Sequence, residues 1–345
     1  MDVGVRLPPW LPVDDVARQA GRVEELGFDT AWIPDSQLLW RDPFATAAVA
    51  AISTASVRLG IAVTNAVTRH PSVVASAART IAELAKGRFV LGIGAGDSSV
   101  WPIGLKPATI RDLEERVRCV KGLLSGGEHD FTAQQRGRLH GDVTGCPVYL
   151  AASGPRALEL AGRIADGVLL LGGVSPSVLH ANVLKVHAGA AAAGRSVEEV
   201  EVVAATFCRV TDDVERHAGE LKPVCLTIAQ NGGAATLARA GIDLGDPPRV
   251  LDVYPDLIHA EDWEAAVQRS SEWVSDQDAL RFATTFCLYG SAAEIAEKID
   301  AARGAGASAL LLQHVGSYSF PTEMSEAFAE QVLPRVRRSA ASAAS

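Results

Sequence analysis

A regular rhythm runs through this chain. Short apolar runs of buried-strand type, each followed by a stretch with helical spacing, repeat along most of the sequence. Val3 to Leu7 leads to Val13 to Leu26, where Val16, Ala20, Val23 and Leu26 share one helical face and Gly27 ends the helix. Thr30 to Pro34 leads to a helix opening at Pro43, where proline suits the first turn. Val57 to Val63 is followed by Ser72 to Ala85, Phe89 to Ile93 by Ile110 to Leu124, Val148 to Ala152 by Arg156 to Ala165, and Gly167 to Leu171 by Pro176 to Ala193. Val200 to Val210 is the seventh run. The eighth, Ala309 to Gln313, follows a helix over Ala292 to Ala302. Such runs lack the polar alternation of a half-exposed sheet, so they predict parallel strands covered on both faces, closed as a (β/α)8 TIM barrel; an open doubly wound sheet is the alternative.

Two passages break the rhythm. Ser125 to Cys146 is Gly-rich and polar and predicts a loop or small hairpin. Roughly 70 residues, about 212–283, hold helix-like segments with Trp263 and Trp273 and no linker composition at either end. They read as a helical insertion between strands seven and eight of a single domain, 1–338. Residues 339–345, all Ser and Ala, read as a disordered tail.

Composition narrows the function classes. A net charge of −9 gives no clustered cationic surface for nucleic acid. No apolar run approaches the roughly 18 residues of a membrane span. The N-terminus lacks a basic start followed by an apolar core. Five well-separated cysteines, Cys119, Cys146, Cys208, Cys225 and Cys287, form no Cys-x-x-Cys pair and predict reduced thiols in a cytoplasmic protein. No metal-ligand spacing, Gly-x-Ser-x-Gly elbow or Walker sequence occurs, so a small-molecule site served by a borrowed cofactor is the expectation.

In such a barrel the residues at the C-terminal strand ends share one mouth. The candidates are Asp35-Ser36 after strand two, Thr64-Asn65 after strand three, Gly94 to Asp97 after strand four, Ala152 to Pro155 after strand five and Gly172-Gly173 after strand six. Small residues there leave backbone N–H groups open to a phosphate or a flat heterocycle. Each has a plainer reading. Gly94-Ala-Gly96 is equally a tight turn, Ser153 to Arg156 a helix N-terminus, Asp35 a cap or a partner for Arg41, Asp97 a cap, and His70 a helix cap rather than a base.

Three segments carry a resemblance: Leu59-Gly-Ile-Ala-Val-Thr-Asn-Ala-Val-Thr-Arg-His-Pro71, Lys86-Gly-Arg-Phe-Val-Leu-Gly-Ile-Gly-Ala-Gly-Asp97, and Tyr149-Leu-Ala-Ala-Ser-Gly-Pro155 continuing through Ala161-Gly-Arg-Ile-Ala-Asp-Gly167. They resemble the bacterial luciferase-like superfamily, most closely its branch that uses the deazaflavin coenzyme F420. The resemblance implies a hydride-transferring oxidoreductase, reducing an activated C=C, C=N or C=O bond, and a homodimer. It implies a cis peptide at Ala62-Val63 against the deazaflavin ring, with Thr64 and Asn65 at the ring edge. Asp35, Gly94, Ala95, Gly96 and Asp97 would line the cofactor, Ala151, Ala152, Ser153 and Gly154 would lie beside it, and Leu171, Gly172 and Gly173 near its phosphate-bearing arm. Asp35, Ser36 and Asp97 are the candidate catalytic positions, and Trp10, Trp40 and Trp101 the candidate substrate walls. Ser36 and Val174 stand where the sugar-phosphate dehydrogenase of that branch has a histidine and a lysine, which argues against glucose 6-phosphate. The rival readings are an FMN-dependent monooxygenase and a barrel that binds cofactor without chemistry.

Overall fold

The computed structural model describes residues 1–247, 249–250 and 252–343. Among them, eight parallel strands form a ring: β1 (Asp2–Arg6), β2 (Thr30–Ile33), β3 (Arg58–Asn65), β4 (Phe89–Gly94), β5 (Val148–Ala152), β6 (Gly167–Leu170), β7 (Glu201–Val210) and β8 (Ala309–Gln313). Each pairs with the next, and β8 pairs with β1 in the register Val5–Leu312, so the ring closes as the expected TIM barrel. Outside it lie α1 (Val13–Glu25), α2 (Pro43–Ser53), α3 (Pro71–Leu84), α4 (Ile110–Leu124), α5 (Pro155–Ile164) and α6 (Pro176–Ala192). Four of these begin at proline, whose missing N–H costs nothing in a first turn. His70 caps α3 by accepting from the Ser72 N–H at 3.3 Å, the plainer of its two readings.

Among the described residues, three apolar clusters form the core. The largest lies between strands and outer helices. A second fills the barrel with Trp32, Val90, Tyr149, Leu169, Val203 and Leu311. The Trp32 indole lies against β1 and β3 so closely that a Cβ at Gly4 or Gly60 would come within 2.4 or 2.2 Å of it. Glycine on the two flanking strands is what lets this large ring plug the barrel. The third cluster, including Leu221, Cys225, Phe282 and Phe286, is the core of the helices between β7 and β8.

Several boundaries move for physical reasons. The polar stretch after α4 holds a hairpin, His129–Thr132 with Gln135–Gly137. A short parallel strand that periodicity missed, Leu288–Gly290, pairs with Cys208–Val210, because β7 is ten residues long and overshoots the rim. Helices Thr322–Gln331 and Leu333–Ala343 follow β8. Residues 339–343 therefore continue a helix where a disordered tail was expected, and 344–345 lie outside the described residues.

Candidate active site

The C-terminal mouth of the barrel opens into a cavity of about 810 Å³. Its walls bring together most of the candidate residues: Asp35, Trp40, Ala62 to Asn65, Gly94 to Asp97, Trp101, Ala151 to Ser153 and Leu171. Thr64 and Asn65 are the last residues of β3 rather than the start of a loop. The β3–β4 register passes from Ile61–Leu91 to Thr64–Ile93, so β3 carries one extra residue there, and the Ala62-Val63 peptide inside this bulge is cis. Gly92 lies opposite; a Cβ on it would meet the Ile61 carbonyl oxygen at 2.4 Å. Asn65 ties the following turn, accepting from the N–H groups of Val67 and Thr68 at 2.9 and 2.7 Å.

Asp35 is sealed from solvent. Its Oδ2 accepts from Thr64 Oγ1 at 2.7 Å and from the Arg69 guanidinium, which also reaches Asp42 at 2.8 Å, while Oδ1 is buried without a partner. Burial pushes its carboxyl above the usual carboxylate range, against the opposing pull of Arg69 and Thr64. The cation paired with Asp35 is thus Arg69; Arg41 instead bonds the Trp10 carbonyl. Asp97, whose side chain is 60% exposed at the mouth, receives a bond from Asn231 Nδ2 at 3.4 Å and lies 3.8 Å from Arg249. Partial burial raises its carboxyl as well, with Arg249 opposing. Solvent reaches Asp97 and screens its interactions, whereas the Asp35 side chain is shielded.

Five candidates do not line the cavity. Ser36 is buried behind it and shares a 2.6 Å hydrogen bond with Ser98 Oγ. Gly154 is the N-cap of α5. Gly172 lies near Asn182, and Gly173, at φ +71°, backs onto the Phe286 carbonyl, where a Cβ would come within 2.2 Å. Trp10 packs its ring 6.2 Å from Phe320.

Other residues reach the mouth without having been singled out. Arg6 ends β1, and Gln313 ends β8; the rule that barrel strand ends face one mouth was signal enough for both. From the insertion come Gln230, Asn231, Pro247, Arg249 and His259. His259 is held by Asp256 at 2.9 Å and meets the Trp40 ring edge-on at 5.4 Å. The Asn231-Gly-Gly233 run, which interrupts a helical stretch, is a local signal that could have pointed to these residues. Among the described residues no group of three His, Cys, Asp or Glu side chains is placed to hold a metal, and no helix is long and apolar enough to cross a membrane.

The family model described as luciferase-like monooxygenase matches residues 2–309. The chain is 32% identical over 252 residues to a 5,10-methylenetetrahydromethanopterin reductase of Methanolobus tindarius, covering 70% of this chain and 76% of that protein. It is 31% identical over 222 residues to an F420-dependent glucose-6-phosphate dehydrogenase of Nakamurella multipartita, covering 59% and 65%. The solved coenzyme F420-dependent tetrahydromethanopterin reductase from Methanopyrus kandleri superposes with a TM-score of 0.76 at 24% identity, over 97% of this chain and 99% of that one, a likeness of fold.

Proposed function

The chain belongs to the luciferase-like monooxygenase family, and from that premise we propose that it is a coenzyme F420-dependent oxidoreductase that reduces an activated C=C, C=N or C=O bond of a small organic molecule. The observation that carries this reading is the arc of small residues from β3 to β5. Gly94, Ala95, Gly96, Ala151, Ala152 and Ser153 leave one wall of the cavity without bulky side chains. A Cβ on Gly94 would lie 3.0 Å from Val63 Cγ2, so the cradle stays open because that residue is glycine. The similar dehydrogenase of Nakamurella multipartita is F420-dependent, which supports the same cofactor here.

The residues fit such a group. The Ala62-Val63 bulge and the Gly94 to Gly96 segment would face the flat ring. Ala151 to Ser153 would flank it, with Leu171 toward its anionic arm. When bound, the deazaflavin supplies a hydride. The chain's own residues do the rest: Asp35 offers a buried carboxyl for proton exchange, Arg69 and Thr64 fix that carboxyl, and Trp40 and Trp101 add large aromatic walls to the same cavity. Ser36 and Val174 are both buried, which gives no support to a sugar-phosphate substrate. Five free thiols support a reducing compartment. A homodimer is part of this reading; Ile52 and Val73 are large apolar side chains left exposed on the neighbouring helices α2 and α3.

The test is titration of the purified chain with reduced and oxidised coenzyme F420 and with FMN, followed by fluorescence. Micromolar binding of the deazaflavin, about −8 kcal/mol, with FMN at least tenfold weaker is the expected result. Preference for FMN, or binding of neither, overturns the reading.

A further inference from the structure

Among the described residues, Arg6 is the one guanidinium of the mouth that the structure leaves unanswered. Arg69 is paired with Asp35 and Asp42, and Arg249 with Asp97. The Arg6 side chain makes no hydrogen bond and no ion pair among the described residues, although it lines the cavity from the end of β1. Its guanidinium lies 5.1 Å from the centre of the Trp40 ring. That ring is itself fixed, because Trp40 Nε1 donates to the Ser317 carbonyl at 2.9 Å. Stacking on an indole orients the planar fork but supplies no counter-charge. Burying a cation without a partner is costly unless a ligand completes it.

We propose that Arg6 is the anchor for an oxyanion, carboxylate or phosphoryl, carried by the organic substrate. Position assigns the anion to the substrate rather than the cofactor. In the ring, β1 lies between β8 and β2, whereas the small-residue cradle spans β3 to β5 and the Leu171 corner follows β6, across the mouth. Gln313, one residue beyond the Val5–Leu312 register pair, adds a carboxamide to the same corner. Burial, with nothing opposing it, holds the Arg6 guanidinium down at about 10, as expected of a cation lacking a counter-ion in the free protein. Arg6 is still charged at neutral pH and presents a fork suited to two parallel hydrogen bonds. Trp40 then forms the apolar shelf beside the bound anion. This assignment of substrate class rests on the deazaflavin reading only for the identity of the group across the cavity.

The experiment is calorimetric titration of the full chain, with and without coenzyme F420, using benzoate, phenyl phosphate and neutral benzamide as probes. At least one anion should bind tenfold or more tightly than benzamide, and the tighter of the two identifies carboxylate or phosphoryl chemistry. Arg6→Gln should erase that preference and Arg6→Lys keep part of it, while the Kd for coenzyme F420 changes less than twofold in both. Equal binding of anions and benzamide by the wild type, or an unchanged preference in a folded Arg6→Gln protein, overturns the proposal. So does a tenfold loss of coenzyme affinity in Arg6→Gln, which would give the anion to the cofactor. If the wild type ignores coenzyme F420 yet prefers the anions through Arg6, the cofactor reading fails and the anion site stands.

Discussion

Thr64 donates its hydroxyl proton to Oδ2 of Asp35 at 2.7 Å, across the C-terminal ends of two adjacent barrel strands, while Oδ1 of the same carboxyl remains buried and unpartnered. The donor stabilises the ionised form, so its removal must raise the carboxyl further. Thr64→Val is expected to move the Asp35-dependent limb of the kcat/KM profile to higher pH. Asp35→Asn should remove that limb and lower kcat by roughly a hundredfold, within the range of general acid catalysis. Arg69 keeps Asp42 in that variant, so the melting temperature should stay near the wild type. A pH profile unchanged by Thr64→Val would remove Asp35 from the proton-handling role.

The cradle makes a steric prediction. A valine at Gly94 places its Cβ within 3.0 Å of Val63 Cγ2 and its methyl groups into the space beside Ala151. Gly94→Val should weaken coenzyme F420 binding at least tenfold in the fluorescence titration, with circular dichroism unchanged. Undiminished affinity in that variant would sink the placement of the ring.

His314, immediately after β8, gives a stability test. Burial, helped by Arg6, lowers its imidazole from 6.5 to about 4; Nε2 contacts Ser319 at 3.0 to 3.1 Å and Nδ1 has no partner. Between those pH values the unfolded chain binds the proton that the folded chain refuses. Stability therefore rises with pH across this window and is lost as pH falls through it, by at most about 3 kcal/mol. Urea midpoints at pH 7 and pH 4.5 should differ less for His314→Gln than for the wild type. Parallel losses in both proteins would exclude His314 as a source of the acid sensitivity.

Helices α5 and α6 touch through backbone. A Cβ on Gly162 would lie 1.9 Å from the Val186 carbonyl oxygen, and one on Gly189 would lie 2.0 Å from that of Glu159. Backbone cannot swing aside as a flexible side chain does, so Gly162→Ala should cost about 3 kcal/mol, the upper end for overpacking. Equilibrium denaturation checks this. A loss under 0.5 kcal/mol, on the order of a surface substitution, would mean that the helices separate readily.

The barrel and most of one wall of its mouth were legible in local patterning. Strand and helix periodicities are local, and the burial of Val3, Val5, Leu59, Ile61 and Leu91 follows from apolar runs that only a doubly covered strand can use. Glycine and alanine at Gly94 to Gly96 and Ala151 to Ala152 were legible for the same reason, because a strand's C-terminal end in this fold has one place to point. The bulge at Ala62-Val63 came only through resemblance, since register is a relation between two strands and nothing in β3 alone fixes it. Which charges meet was set by the packing of distant segments. That packing paired Asp35 with Arg69 rather than Arg41, brought Asn231 and Arg249 to Asp97 across more than a hundred residues, turned Ser36 and Gly173 away from the cavity, and left Arg6 on Trp40 without a counter-ion. Hydrophobic burial is read one residue at a time, whereas an ion pair or its absence depends on where two distant segments come to rest once the ring has closed.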